Sequence, residues 1–189
     1  MKRIAVVGDI GSGKSYVAKS FGFPVFDADL EVSKLYKFDK RSFYRIKKSI
    51  PKCYFSFPIK KSEIKQAISA NQYNLKKIVK IVHPAIRKKL NNFLKKNRNK
   101  RIVILDIPLL LENKIYKKKD ILVYVQSKKS DILKNLKKRK NFNIKLFKKF
   151  KAIQLPLNYK KKKSNFIIKN NFTKKSVNDG IKSILKEIS

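Results

Sequence analysis

Five short runs of apolar, mostly β-branched residues interrupt a chain whose remaining apolar positions recur at helical spacing. Arg3 to Val7, Phe23 to Phe26, Arg101 to Asp106, Asp120 to Val125 and Ser164 to Ile168 carry little polar alternation. Continuous runs of this kind predict strands buried on both faces of a parallel sheet. A helix is predicted from about Ser15 to Gly22, and residues 30–97 read as mostly helical around a Pro- and aromatic-rich break from Ile50 to Pro58. Ser130 to Lys151 reads as a lysine-rich helix broken at Asn141-Phe-Asn143, and Lys175 to Ile188 as a last amphipathic helix. Strands alternating with helices predict βαβ units, an α/β class fold with helices covering both faces of a five-stranded parallel sheet.

A length of 189 residues with 42% apolar content supports one core with a small excursion. Cys53 has no partner for an intramolecular disulfide, and the chain opens with a strand instead of a signal segment, so a reducing, cytoplasmic setting is expected. No apolar run approaches the roughly 20 residues of a spanning helix, so no membrane insertion is expected. Fifty Lys and Arg against 12 Asp and Glu give a net charge of +38. The lysines are spread along the chain, which predicts nonspecific adhesion to nucleic acid and attraction of anionic substrates. The runs at 117–119 and 160–163 read as exposed turns or helix ends.

The strongest chemical signal is Gly8-Asp-Ile-Gly11-Ser12-Gly13-Lys14-Ser15, a full G-x-x-x-x-G-K-[ST] between a strand and a helix start. Its glycines let backbone N–H groups turn inward as an anion nest, and the helix N-terminus adds a positive dipole end. Lys14 is expected on the β- and γ-phosphates of ATP, and Ser15 on Mg²⁺. Asp27-Ala-Asp29 closes the second strand, at the end of the sheet where ligands of open α/β folds bind. A carboxylate there can orient an acceptor hydroxyl and take its proton. Asp29 is the expected base, although either aspartate could instead cap the following helix. Asp106, ending the third strand, stands where a carboxylate can help hold Mg²⁺. His83 and Arg87 are the chemically distinct groups of the helical region, and Arg139 suits a lid that grips phosphates.

The order of motifs resembles the dephospho-coenzyme A kinase family over essentially the whole chain. Its pattern runs G-G-I-G-S-G-K-S-T, D-A-D, H-P-x-I-R, D-I-P-L-L-F-E, an R before a lid, Q-x-P and V-I-x-N. Here stand Gly8 to Ser15, Asp27-Ala28-Asp29, His83-Pro84-Ala85-Ile86-Arg87, Asp106-Ile-Pro-Leu-Leu-Leu-Glu112, Arg139, Gln154-Leu-Pro156 and Ile167-Ile168-Lys169-Asn170. The resemblance implies ATP-dependent phosphorylation of the ribose 3′-hydroxyl of dephospho-coenzyme A, the last step of coenzyme A synthesis. It also implies a single three-layer P-loop kinase domain: a core of about residues 1–29, 98–127 and 164–189, a helical substrate-binding region of about 30–97, and a lid of about 128–163.

By position, the resemblance makes Asp29 the catalytic base and Lys14 its partner in catalysis. It gives Gly8, Gly11, Ser12, Gly13, Lys14, Ser15, Tyr16, Arg139 and Asn170 to ATP, with Asn170 near the adenine. Asp27, His83, Arg87, Leu109 and Glu112 go to the acceptor, and Ser15 and Asp106 to Mg²⁺. The chain departs from the pattern at Asp9, which replaces a P-loop glycine, at Tyr16 for Thr, and at Asn135 and Phe150 for basic lid residues. Phe172 stands where a glycine often follows the final Asn. A nucleoside monophosphate kinase and a basic, nucleotide-switched RNA-binding protein are the competing readings, and weak self-association stays open.

Overall fold

The computed structural model describes residues 1–138, 142 and 144–188, with the side chains of residues 145, 146 and 149 outside that description. In chain order the elements are β1 (Lys2–Gly8), α1 (Lys14–Ser20), β2 (Val25–Asp27), α2 (Ala28–Phe38), α3 (Lys40–Ser49), α4 (Lys61–Ala70) and α5 (Gln72–Lys96). There follow β3 (Ile102–Asp106), β4 (Ile121–Gln126), α6 (Lys129–Lys137), α7 (Ile144–Ala152), α8 (Leu157–Lys163), β5 (Phe166–Lys169) and α9 (Lys174–Glu187). They form two compact units, one of Met1–Asp27 with Asn97–Ser189 and one of Ala28–Lys96.

The first unit is built on an all-parallel sheet of order β2-β3-β1-β4-β5. Register places Ile4 between Ile104 and Ile121, and Asp27 opposite Asp106. Because side chains alternate along a strand, Ile4, Val6, Ile104, Val123 and Val125 share the face that packs Val17 and Ala18 of α1 and Val177, Ile181 and Ile184 of α9. Ala5, Val7, Leu105 and Leu122, of opposite parity, are buried as well, which is why these runs lack polar alternation. Helix α8 lies against β1 and β4. The fold is the expected α/β three-layer arrangement.

Two local expectations are corrected. Strand β2 starts at Val25 and not at Phe23, because Pro24 has no N–H for the ladder and contributes only its carbonyl, which accepts Ile104 N at 2.9 Å. The run 160–163, read as an exposed turn or helix end, is the end of α8, but Lys160 within it is only 3% exposed. Lys117, Lys118 and Lys119 are exposed as expected.

The second unit buries its own core from Leu35, Phe43, Ile46, Ile64, Ile68, Ile78 and Ile81, with Phe55 and Ile59 from the segment between α3 and α4. Asp39 caps α3 by accepting Ser42 N at 3.0 Å. Burial would push the Glu63 carboxyl up, but the Ser56 hydroxyl and the Lys60 and Ser56 N–H groups hold it below the usual range. These bonds pin the aromatic segment to the start of α4. Among the described residues, no helix is long and apolar enough to cross a membrane.

Candidate active site

The P-loop connects β1 to α1 at the carboxyl edge of the sheet, and the residues that shape it come from the ends of the neighbouring strands. Gly13 has φ +88°, and a Cβ there would stand 2.4 Å from Asn170 Nδ2. That amide, just past β5, donates to Ser12 O at 2.9 Å, while Ser127, just past β4, donates its hydroxyl to the same carbonyl at 3.0 Å. Asn170 Oδ1 accepts Phe172 N at 2.8 Å, so Asn170, 2% exposed, is bonded through both ends of its amide as a brace under the loop. Phe172 keeps φ +65°, a backbone that favours glycine and costs an L-residue about 1–2 kcal/mol. Gly11 is equally confined: a Cβ on it would meet Leu136 Cγ of α6 at 2.9 Å. Gly13→Ala should therefore lower stability by about 2 kcal/mol and weaken ATP binding, as followed by urea unfolding and nucleotide titration; unchanged values would show that Asn170 does not fix the loop.

Lys14 turns back over the loop, its Nζ donating to Asp9 O at 2.7 Å and reaching Gly8 O at 3.5 Å. Ser15 lies in the first turn of α1 and is exposed. Its hydroxyl acts on the carboxyl of Asp106, which is 4% exposed at the end of β3. Burial pushes the Asp106 carboxyl up, the Ser15 hydroxyl opposes this, the negative charge of Asp27 pushes it further up, and Lys14 and Lys19 pull it down; the net direction is upward. Two carboxylates in register on adjacent strands, one buried beside the P-loop serine, form a site whose repulsion a cation would relieve.

Tyr16 lies in the first turn of α1 and is 48% exposed. Leu109, in the turn after β3, has φ +55°, and its carbonyl accepts both Asn113 N and Nδ2 at 3.0 Å. Glu112 accepts Lys160 Nζ at 2.6 Å and Leu155 N at 3.0 Å. Despite burial, which raises it, the Lys160 bond and the Leu155 N–H hold this carboxyl below its usual range. Glu112 thereby ties the turn after β3 to the segment leading into α8. Removing one partner of a buried pair leaves an uncompensated charge, so Lys160→Met should destabilise the chain by about 3 kcal/mol in urea unfolding. Adding Glu112→Gln should restore much of that; a loss below about 1 kcal/mol would place the pair in the class of exposed bridges.

In the helical unit, Asp29 is exposed in the first turn of α2, two residues past β2. His83 and Arg87 lie one turn apart on α5. Burial, helped by the Arg87 charge, pushes the His83 imidazole down, so it is neutral at neutral pH. Arg139 lies outside the described residues. Asn135, at a departed lid position, donates Nδ2 to Asp131 O at 2.9 Å within α6.

The described core thus brings together the P-loop, Asp27, Asp106 and Asn170, with Leu109 and Glu112 on the turn after β3. Sequence reading missed Ser127 and Lys160. Ser127 had the signal of its place just past a predicted strand; Lys160 had only Pro156, which sits where α8 begins.

The family model for dephospho-CoA kinase matches residues 3–176. The dephospho-CoA kinase of Wolbachia pipientis wMel is 32% identical over 98% of this chain and 97% of its own length. The chain belongs to the dephospho-CoA kinase family. The Ehrlichia canis dephospho-CoA kinase is 29% identical over 97% of this chain and 94% of that protein. Among solved structures, a Thermus thermophilus protein superposes with TM-score 0.81 at 21% identity, covering 100% of this chain and 98% of that one. The dephospho-CoA kinase of Campylobacter jejuni gives 0.64 at 22% identity, over 100% and 97%; at these identities both show the shared fold.

Proposed function

We propose that the chain transfers the γ-phosphoryl group of ATP to the ribose 3′-hydroxyl of dephospho-coenzyme A, giving coenzyme A and ADP. The observation that carries this is the intact P-loop at the sheet's carboxyl edge, with the Ser15 hydroxyl and Asp27 both acting on the buried Asp106 carboxyl, in a member of the dephospho-CoA kinase family. The N–H groups of Gly8 to Ser15 bind the phosphates, and Lys14 leaves its carbonyl partners for the β- and γ-phosphates. Mg²⁺ takes few protein oxygens, keeping waters and phosphate oxygens as its other ligands. The Ser15 hydroxyl and the Asp106 carboxylate, with Asp27 adding negative charge, fit that demand. Bound there, the ion would neutralise charge on the transferring phosphoryl group.

Asp29 accepts the proton of the 3′-hydroxyl as its oxygen bonds to the γ-phosphorus and ADP leaves. Asp27, His83, Arg87, Leu109 and Glu112 are assigned to the acceptor by the family resemblance; of these, Glu112 acts through the turn it holds. Tyr16 and Arg139 serve the nucleotide, with Arg139 in a lid of about residues 128–163, and Asn170 supports the loop beneath it. A cytoplasmic location suits these substrates. The test is ATP consumption with Mg²⁺ and each acceptor separately: turnover with dephospho-coenzyme A alone is expected, and turnover with a nucleoside monophosphate in its place would overturn the acceptor assignment.

A further inference from the structure

A carboxylate at the second position of a phosphate-binding loop should repel the ligand, yet Asp9 is 4% exposed and fully engaged. Its Oδ1 accepts Ile10 N at 2.7 Å, which closes the start of the loop. Its Oδ2 accepts Lys151 Nζ of α7 at 2.5 Å. Its backbone oxygen accepts Lys14 Nζ at 2.7 Å and Ser12 N at 3.2 Å. The Asp9 side chain is 6% exposed in this pair and that of Lys151 is 40% exposed, so the carboxylate is inside and the lysine stem reaches in from solvent. Beside them is a cavity of about 480 Å³ lined by Asp9, Lys129, Ile132, Phe147, Lys148 and Lys151. Three lysines thus surround an opening next to the phosphate loop, and one of them is fixed in place.

We infer that Asp9 is a positioning residue: it holds the Lys151 ammonium at the P-loop, where that ammonium is a phosphate-binding cation for the nucleotide. The inference rests on the ATP-kinase reading. A lysine on a flexible stem loses rotamer freedom whenever it grips a ligand, and it lacks the guanidinium fork that makes arginine pre-organised. An ion pair with a buried carboxylate on the loop itself removes that freedom before the nucleotide arrives. The pair also neutralises the carboxylate, so the loop presents no net negative charge from Asp9. This accounts for two departures together: a charge in the loop where the family pattern has glycine, and basic positions of the proposed lid lost at Asn135 and Phe150.

The test uses the full chain and its Asp9→Asn, Lys151→Met, Lys151→Arg and Asp9→Asn/Lys151→Met variants. Affinity for a non-hydrolysable ATP analogue is measured by calorimetry, and kcat and KM for ATP with dephospho-coenzyme A. Asn at position 9 keeps an oxygen for Ile10 N, so the loop backbone retains its bond. Asp9→Asn and Lys151→Met should each weaken analogue binding about tenfold, the double variant should be no weaker than Lys151→Met, and Lys151→Arg should retain most of the affinity. Additive losses, Arg no better than Met, or an Asp9→Asn chain that binds the analogue as well as or better than the parent would overturn the inference. Analogue binding is read without turnover, so a chain that binds nucleotide as expected but phosphorylates nothing would count against the acceptor assignment and leave the Asp9–Lys151 result standing.

Discussion

Asp29→Asn is expected to lower kcat with dephospho-coenzyme A by about 10²–10⁴-fold while leaving ATP affinity unchanged. The substitution keeps size and hydrogen-bonding shape and removes only the ability to take a proton. Asp29 suits the role because it stands exposed at the start of α2, directly after the strand whose last residue is in register with Asp106. Asp27 is the control. It ends β2 within the ladder, and its negative charge acts on Asp106, so Asp27→Asn should change Mg²⁺ dependence more than the proton-transfer step. If Asp27→Asn shows the deep loss of kcat and Asp29→Asn does not, the base is Asp27 and Asp29 is a helix-terminal carboxylate.

Asp106→Asn should produce opposite effects on activity and stability. Turnover at fixed Mg²⁺ is expected to fall by at least about 10²-fold, because the proposed carboxylate ligand of Mg²⁺ is lost. Thermal stability without ligand should rise. The folded chain holds this carboxyl above its ordinary value of 3.8, mainly through burial. A carboxyl raised on folding binds protons more readily in the folded state, so stability falls as pH rises from 3.8 through the folded value and stays lower above it. Asn removes that penalty at neutral pH, and the gain in Tm should shrink as pH approaches 3.8. A variant that is less stable at neutral pH and still fully active would show Asp106 to be an ordinary strand-end residue. The parent chain, by the same reasoning, should gain stability from Mg²⁺ with nucleotide, and Asp106→Asn should gain less.

How much of this was legible in the sequence depended on whether each feature is local. β1, the P-loop and α1 are contiguous, and each element carries its own signal: β-branched run, glycines, helix start. The helical region was legible through its apolar period and the break before Pro58. What pairs across the chain was not. Lys160 cannot be told from Lys161 to Lys163 by composition; only α8 docking makes it the one that meets Glu112. Asn170 carried a motif, but its bond to Ser12 joins residues 158 apart, and a motif does not say whether an amide faces a ligand or a loop. Asp9 read only as a departure from the family pattern, because its partner is 142 residues away in a lysine-rich segment. Periodicity tells which face a side chain takes, and the partner on that face comes from tertiary packing.

The most direct measurement is ³¹P NMR of the product formed from ATP, Mg²⁺ and dephospho-coenzyme A. A new phosphomonoester resonance assigned to the ribose 3′-position, growing in step with ADP and at least about 10²-fold more slowly in Asp29→Asn, is the predicted result. ADP formation without that resonance, or a phosphate carried on any other position of the acceptor, would contradict the account.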